Sequence, residues 1–132
     1  MPAPAERENA DRAAGTLVYG LYLAAPVTFG LTGLAGAVMA ARRRDRAGPV
    51  AATHFRFQLW TFWGAVLAVA AGALWALLGG AQTTGTGDGD GAWLALAGLA
   101  LCAGAGVGYL AATVYGLSRL LSRSPVGRFL SR

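Results

Sequence analysis

The chain has 132 residues, of which 55% are hydrophobic and only 13% are charged, and its formal net charge is +5. Soluble domains have about 25% charged residues, so this chain has too few charges to cover a surface that faces water. The composition therefore excludes an ordinary soluble domain and favours an integral membrane protein.

The first 15 residues lack apolar periodicity. They contain two prolines and alternating acidic and basic side chains between Glu6 and Arg12. This composition predicts a mobile N-terminal tail over residues 1–15. The leader also lacks the basic start and short apolar core of a cleaved signal peptide. We therefore expect the first apolar segment to be retained as a membrane span.

Three long segments without charged side chains follow, at residues 17–41, 57–82 and 92–118. Each is at least as long as the roughly 20 residues that a helix needs to cross a bilayer. The sequence predicts an all-α fold, a transmembrane three-helix bundle with spans at 17–41, 57–79 and 92–118. The transmembrane domain extends over residues 16–123, and residues 124–132 form a basic C-terminal tail.

A proline interrupts the first span. Pro26 removes one backbone hydrogen bond and clashes with the preceding turn, so we expect a kink between Ala24 and Gly30. At about 1.5 Å per residue the segment is too short for two full crossings. One bent helix is the expectation, and a pair of half-inserted helices is the alternative.

Arginines are concentrated in two of the segments outside the spans. Residues 42–56 contain five arginines and one acid, and residues 119–132 contain four arginines and no acid, whereas the connection around Asp88 and Asp90 has no base. The positive-inside rule predicts an inner-membrane protein with the N-terminus outside and the C-terminus inside. Interfacial amphipathic segments are expected before span two and after span three. The arginines expected to contact anionic lipid headgroups are Arg42, Arg43, Arg44, Arg46, Arg119 and Arg123.

Small residues recur at every fourth position of the spans, where they share a helix face and allow two backbones to approach closely. A composition rich in alanine and glycine also produces such ladders by chance. The residues predicted to pack helices together are Gly64, Gly72, Gly104, Gly108, Ala112 and Gly116. These ladders predict packing within the chain, self-association as a homo-oligomer, or binding to another membrane protein.

The segment THFRFQLWTFW, residues 53–63, places polar groups in an aromatic run where span two begins. His54 and Gln58 are four residues apart and share a helix face, Arg56 points away from them, and Thr61 follows one turn later. One interpretation is an interfacial anchor, in which Arg56 binds lipid phosphate and His54 and Gln58 form hydrogen bonds with headgroups or with the neighbouring loop. The other is a buried polar cluster of His54, Gln58 and Thr61, which helps to pack helices or lines a path.

Enzyme signatures are absent from the sequence. It has no second histidine for a metal, no paired carboxylates within a span and no phosphate-binding loop that ends in lysine. We expect no catalytic residues, no cofactor, no metal and no nucleic-acid partner. The expected function is that of a non-enzymatic helix-packing or accessory membrane protein. The alternative is a small channel or transporter component with a polar face at the cytoplasmic end of span two.

The order of LVYGLYLAAPVTFG, an arginine-rich turn, HFRFQ and TFW resembles a family of small bacterial inner-membrane proteins of unknown function. The resemblance covers residues 16–121, and its specific part is residues 54–63, with Tyr19 and Tyr22 among the other matching positions. That family is distantly grouped with channel subunits for protein import in the plastid inner envelope. The resemblance implies a membrane location and architecture, without a defined activity.

Overall fold

A computed structural model describes residues 4–28, 30–86 and 90–126 of the chain. These residues form four α-helices and no strand, which confirms the prediction of an all-α fold. The helices are α1 (Pro4–Ala24), α2 (Leu31–Arg43), α3 (Pro49–Thr86) and α4 (Asp90–Leu121). Asp88 and the last arginines, Arg128 and Arg132, lie outside the described residues.

The helices α3 and α4 are long and apolar enough to cross a membrane, over Pro49–Thr83 and Gly91–Leu121. At about 1.5 Å per residue, each exceeds the roughly 30 Å of a bilayer's hydrocarbon core. Most residues in their apolar windows are exposed, whereas the core helix of a soluble protein is mostly buried. The predicted spans two and three are therefore helices that can cross a membrane.

The prediction of a single first span is wrong. Residues 25–28 and Gly30 are non-helical and lie between α1 and α2, and these two helices pack against each other. Pro26 cannot continue α1, and Gly30 has a φ of 86°, a left-handed conformation that glycine adopts without strain. The segment is therefore divided between two helices. With 13 residues, α2 is about 20 Å long, too short to cross a bilayer.

Residues 4–15 are helical and belong to α1, whereas the sequence predicted a mobile tail. Pro4 is the first residue of α1 and Glu6 lies in its first turn, and both residue types favour a helix N-terminus. The Gly48 backbone N–H donates a hydrogen bond to the Asp11 carboxylate at 3.1 Å. This contact comes from a distant part of the chain, so local periodicity gave no sign of it.

The chain divides into two compact units. Unit 1 comprises Met1–Phe62 and Leu110–Arg132, and unit 2 comprises Trp63–Tyr109. Unit 1 has a core that includes the buried side chains of Tyr19, Phe55 and Leu120. Unit 2 is an antiparallel helix pair formed by the second part of α3 and the first part of α4.

Contacts within unit 1 differ from those expected for the predicted N-terminus-out orientation. Asp11 contacts Gly48, although the prediction placed α1's start and this connection on opposite sides of a bilayer about 30 Å thick. His54 likewise contacts Ser124, which follows α4. The start of α1, the α2–α3 connection and the residue segment after α4 are therefore brought together within unit 1.

Glycines allow α3 and α4 to approach closely in unit 2. A Cβ at Gly72 would lie 2.7 Å from Cys102 Sγ and 2.7 Å from the Gly98 carbonyl oxygen. A Cβ at Gly79 would overlap the backbone of α4, and one at Gly98 would overlap that of α3. On α3 the two glycines are seven residues apart, a spacing that returns to the same helix face.

The residues predicted to pack helices divide into two groups. Gly72 packs within unit 2, and Gly116 packs in unit 1 against the Tyr19 side chain. By contrast, Gly64, Gly104 and Gly108 are exposed, and no atom lies within 4 Å of the position that a Cβ would take there. The sixth residue of this set, Ala112, is half-buried. The four-residue ladder alone did not distinguish these two environments.

Candidate functional site: a buried polar cluster joining α1 and α3

The polar cluster consists of Tyr19 and Tyr22 on α1 and His54 and Gln58 on α3. Each pair is spaced by three or four residues, so both of its members lie on one helix face. All four side chains are fully buried in unit 1. Buried polar groups are stable only when they form hydrogen bonds, and the partners of these four connect separate parts of the chain.

Both ring nitrogens of His54 have partners. The backbone carbonyl of Ser124 lies 2.9 Å from Nε2, and the Tyr19 hydroxyl lies 3.2 Å from Nδ1. A carbonyl can only accept, so Nε2 carries a proton and donates it to Ser124. Burial raises the pKa of the Tyr19 phenol above its ordinary value, which keeps its O–H available to donate to Nδ1 of the neutral ring. His54 thus joins α1, α3 and the segment after α4.

Gln58 provides a second connection between α1 and α3. Its Nε2 donates to the Gly15 carbonyl at 3.1 Å, and its backbone carbonyl accepts from the Tyr22 hydroxyl at 2.9 Å. The Oε1 atom of Gln58 is buried without a hydrogen-bond partner among the described residues. The donors of the cluster therefore link α1 to α3, and the Oε1 atom of Gln58 remains without a hydrogen bond within the described part of the chain.

Glycines make room for the two tyrosine rings. A Cβ at Gly116 of α4 would overlap the Tyr19 side chain, and a Cβ at Gly36 of α2 would lie 2.8 Å from the Tyr22 ring. The aromatic rings of Tyr22 and Phe62 stack with centroids 5.9 Å apart. Neighbouring helices therefore hold each ring in the position from which its hydroxyl reaches α3.

The structure separates the predicted polar motif. His54 and Gln58 belong to the buried cluster, whereas Arg56 is exposed and Thr61 is half-buried and takes no part in the cluster's hydrogen bonds. Both ring nitrogens of His54 and the side-chain Nε2 of Gln58 contact protein groups.

Sequence reasoning missed Tyr19 and Tyr22 as partners of the motif. The available signal was a pair of tyrosines three residues apart in an uncharged segment, because a buried tyrosine hydroxyl normally requires a partner. His54 and Gln58 offered such partners at matching helical spacing. The sequence did not reveal that α1 and α3 pack together, so the pairing could not be assigned.

The arginines expected at headgroups lie in different surroundings. Arg42, Arg43 and Arg44 are exposed at the end of α2, and Arg44 forms an ion pair with Asp45 at 3.4 Å. Arg119 is half-buried and donates to the Pro125 carbonyl at 3.1 Å. The remaining two of the predicted set, Arg46 and Arg123, are exposed and line a cleft in unit 1.

Comparisons of this chain with protein-family models, with curated proteins and with solved structures find no match. The resemblance to small bacterial inner-membrane proteins therefore stays a prediction that depends mainly on residues 54–63.

Proposed function

We propose that this chain is an integral protein of the bacterial inner membrane in which the α3–α4 helix pair crosses the bilayer. The observation that carries this proposal is the exposed apolar surface of both helices, which includes Leu67, Leu77 and Val107. Burying such surface in hydrocarbon is favourable by roughly 25 cal/mol per Å². The arginines beside the ends of these helices favour an orientation with both chain ends in the cytoplasm.

The role that we propose is non-enzymatic, that of an accessory protein that associates with another copy or with another membrane protein. The hydrogen bonds of His54 and Gln58 fasten helices together, which supports a structural role for the cluster. The association surface would be the exposed small-residue face of α4, formed by Ala97, Ala100, Gly104 and Gly108. These glycines are not needed for packing inside the chain, and small residues favour close helix contacts in membranes.

Extraction of membranes at alkaline pH tests the membrane location. We expect the chain to remain with the membrane pellet after carbonate treatment and to require detergent for release. Recovery of a detergent-free, monodisperse chain from the carbonate supernatant would contradict the proposal.

Crosslinking on α4 tests the association. With Cys102→Ala as background, we expect Gly104→Cys to form disulfide-linked dimers or a crosslink to one partner in native membranes. Gly106→Cys is the matched control, since Gly106 is also exposed with open space around it but points to another face of the helix. Equal crosslinking at both positions, or none at Gly104→Cys, would contradict the proposed surface.

A further inference from the structure

We propose that an arginine-lined cleft in unit 1 binds the phosphate group of an anionic phospholipid. The cleft has a volume of about 680 Å³ and is formed by the first half of α1, the α2–α3 connection, the start of α3 and the end of α4. This inference depends on the proposed membrane location and adds a specific lipid ligand to it.

The charges around the cleft favour an anion. Four guanidinium groups line it, from Arg7, Arg12, Arg46 and Arg123, against the two carboxylates of Glu8 and Asp11. Asp11 already accepts the hydrogen bond of the Gly48 N–H. Among the described residues, none of these four arginines forms an ion pair with a carboxylate. The ion pair that the described residues do form joins Arg44 to Asp45. The cleft therefore retains an excess of positive charge.

One of these arginines has a donor without an acceptor. The Nε atom of Arg12 is buried and has no hydrogen-bond partner among the described residues. A buried donor without a partner is unfavourable, and a guanidinium group forms its strongest hydrogen bonds with phosphate and carboxylate oxygens. Because Arg12 also lines the cleft, its guanidinium group can donate to a phosphate oxygen bound there.

The remaining lining explains why a lipid is favoured over a free phosphate ion. The buried side chains of Ala51 and Leu120 and the side chain of Val50 give the cleft an apolar part. The cleft residues also lie where Pro49 begins one candidate span and just beyond Leu121, the end of the other. A site at this position meets phospholipid headgroups, and its apolar part suits the glycerol and the first acyl carbons.

Native mass spectrometry of the detergent-purified full chain tests this site. The wild-type protein is compared with Arg12→Gln/Arg123→Gln and with the matched control Arg42→Gln/Arg43→Gln, whose arginines are exposed outside the cleft. Each is titrated with phosphatidylglycerol and with phosphatidylcholine, in the absence and presence of inorganic phosphate. We expect the cleft variant to lose bound phosphatidylglycerol by about tenfold or more, because charge-assisted bonds are removed. The control should retain it.

The inference would be overturned if both double variants lost bound phosphatidylglycerol equally, or if the wild type bound the two lipids equally. The first result would indicate general electrostatic attraction between the arginines and the lipid. Displacement of lipid by inorganic phosphate would show that the cleft binds free phosphate, and would overturn the proposal of a lipid ligand. If Arg12→Gln/Arg123→Gln does not fold, Arg46→Gln/Arg123→Gln serves in its place. Carbonate extraction separates the two proposals: a chain that stays in the membrane without retaining lipid contradicts only the lipid site.

Discussion

At the level of single residues, Tyr19 satisfies two requirements at once. Its ring packs against Gly116, and its hydroxyl lies 3.2 Å from Nδ1 of His54. The ring cannot move away from α4 without weakening the bond to α3. Sequence could predict that His54 and Gln58 share a helix face, but their partners come from residues more than 30 positions away. Local spacing contains no information about such contacts.

We expect Gly116→Ala to lower the free energy of unfolding by about 1–3 kcal/mol, because the new methyl group overlaps the Tyr19 side chain. Gly106→Ala is the control, since a methyl group there meets no neighbouring side chain or helix within 4 Å and alanine favours the helix by up to about 1 kcal/mol. Thermal or denaturant unfolding in one detergent, followed by circular dichroism, measures both. Equal effects of the two substitutions would show that Gly116 is not a packing site.

We expect Tyr19→Phe to lower the free energy of unfolding by about 1 kcal/mol, because it leaves Nδ1 of His54 without its partner. In a double-mutant cycle with His54→Leu, the two effects should be non-additive, since both remove the same bond. The same unfolding measurement applies. Additive effects would mean that Tyr19 and His54 stabilise unit 1 independently.

At the level of helices, uncharged length predicted α3 and α4 but could not resolve α1 and α2. An uncharged stretch shows only that charged side chains are missing from it. It can contain one long helix or two helices joined by a turn, and its length does not distinguish these cases. The combination of Pro26 with Gly30 four residues later was the available sign of a turn. The ladder of small residues identified Gly72 of the α3–α4 contact but missed Gly79, because the contact glycines of α3 repeat at seven residues and the ladder was sought at four.

We expect Gly72→Cys to form an intramolecular disulfide with Cys102 under mild oxidation, because a Cβ at this position would lie 2.7 Å from Cys102 Sγ. Mass spectrometry of the intact chain would show the loss of two hydrogens. The matched control is Gly64→Cys, which lies on the same helix with open space around it. An intramolecular disulfide in the control, or its absence in Gly72→Cys, would contradict the antiparallel packing of unit 2.

At the level of the whole molecule, the connectivity supports the two crossings that we propose. The chain leaves unit 1 after Phe62 and returns to it at Leu110, and the start of α1 contacts the α2–α3 connection. Charge alone predicted the cytoplasmic side for the arginine-rich segments. The prediction that the N-terminus lies outside required three spans, and the segment predicted as the first span is divided between α1 and α2.

Cysteine labelling tests this topology. In a Cys102→Ala background, we expect an impermeant maleimide to label Thr83→Cys in intact spheroplasts. Ala13→Cys and Ser122→Cys should react only after the membrane is permeabilised, because the proposed orientation places both on the cytoplasmic side. All three positions are exposed in the structure. Labelling of Ala13→Cys but not Ser122→Cys in intact spheroplasts would restore the three-span orientation.

The close succession of α3 and α4 has a consequence for biogenesis. Only three residues, with the sequence Gly-Asp-Gly, separate Thr86 from Asp90. In the proposed orientation, the hydrophilic chain that must be translocated is limited to this connection and the adjoining polar residues. Insertion as a helical hairpin therefore requires the translocation of few polar groups. Soluble domains fused to either terminus would remain on the cytoplasmic side of the membrane.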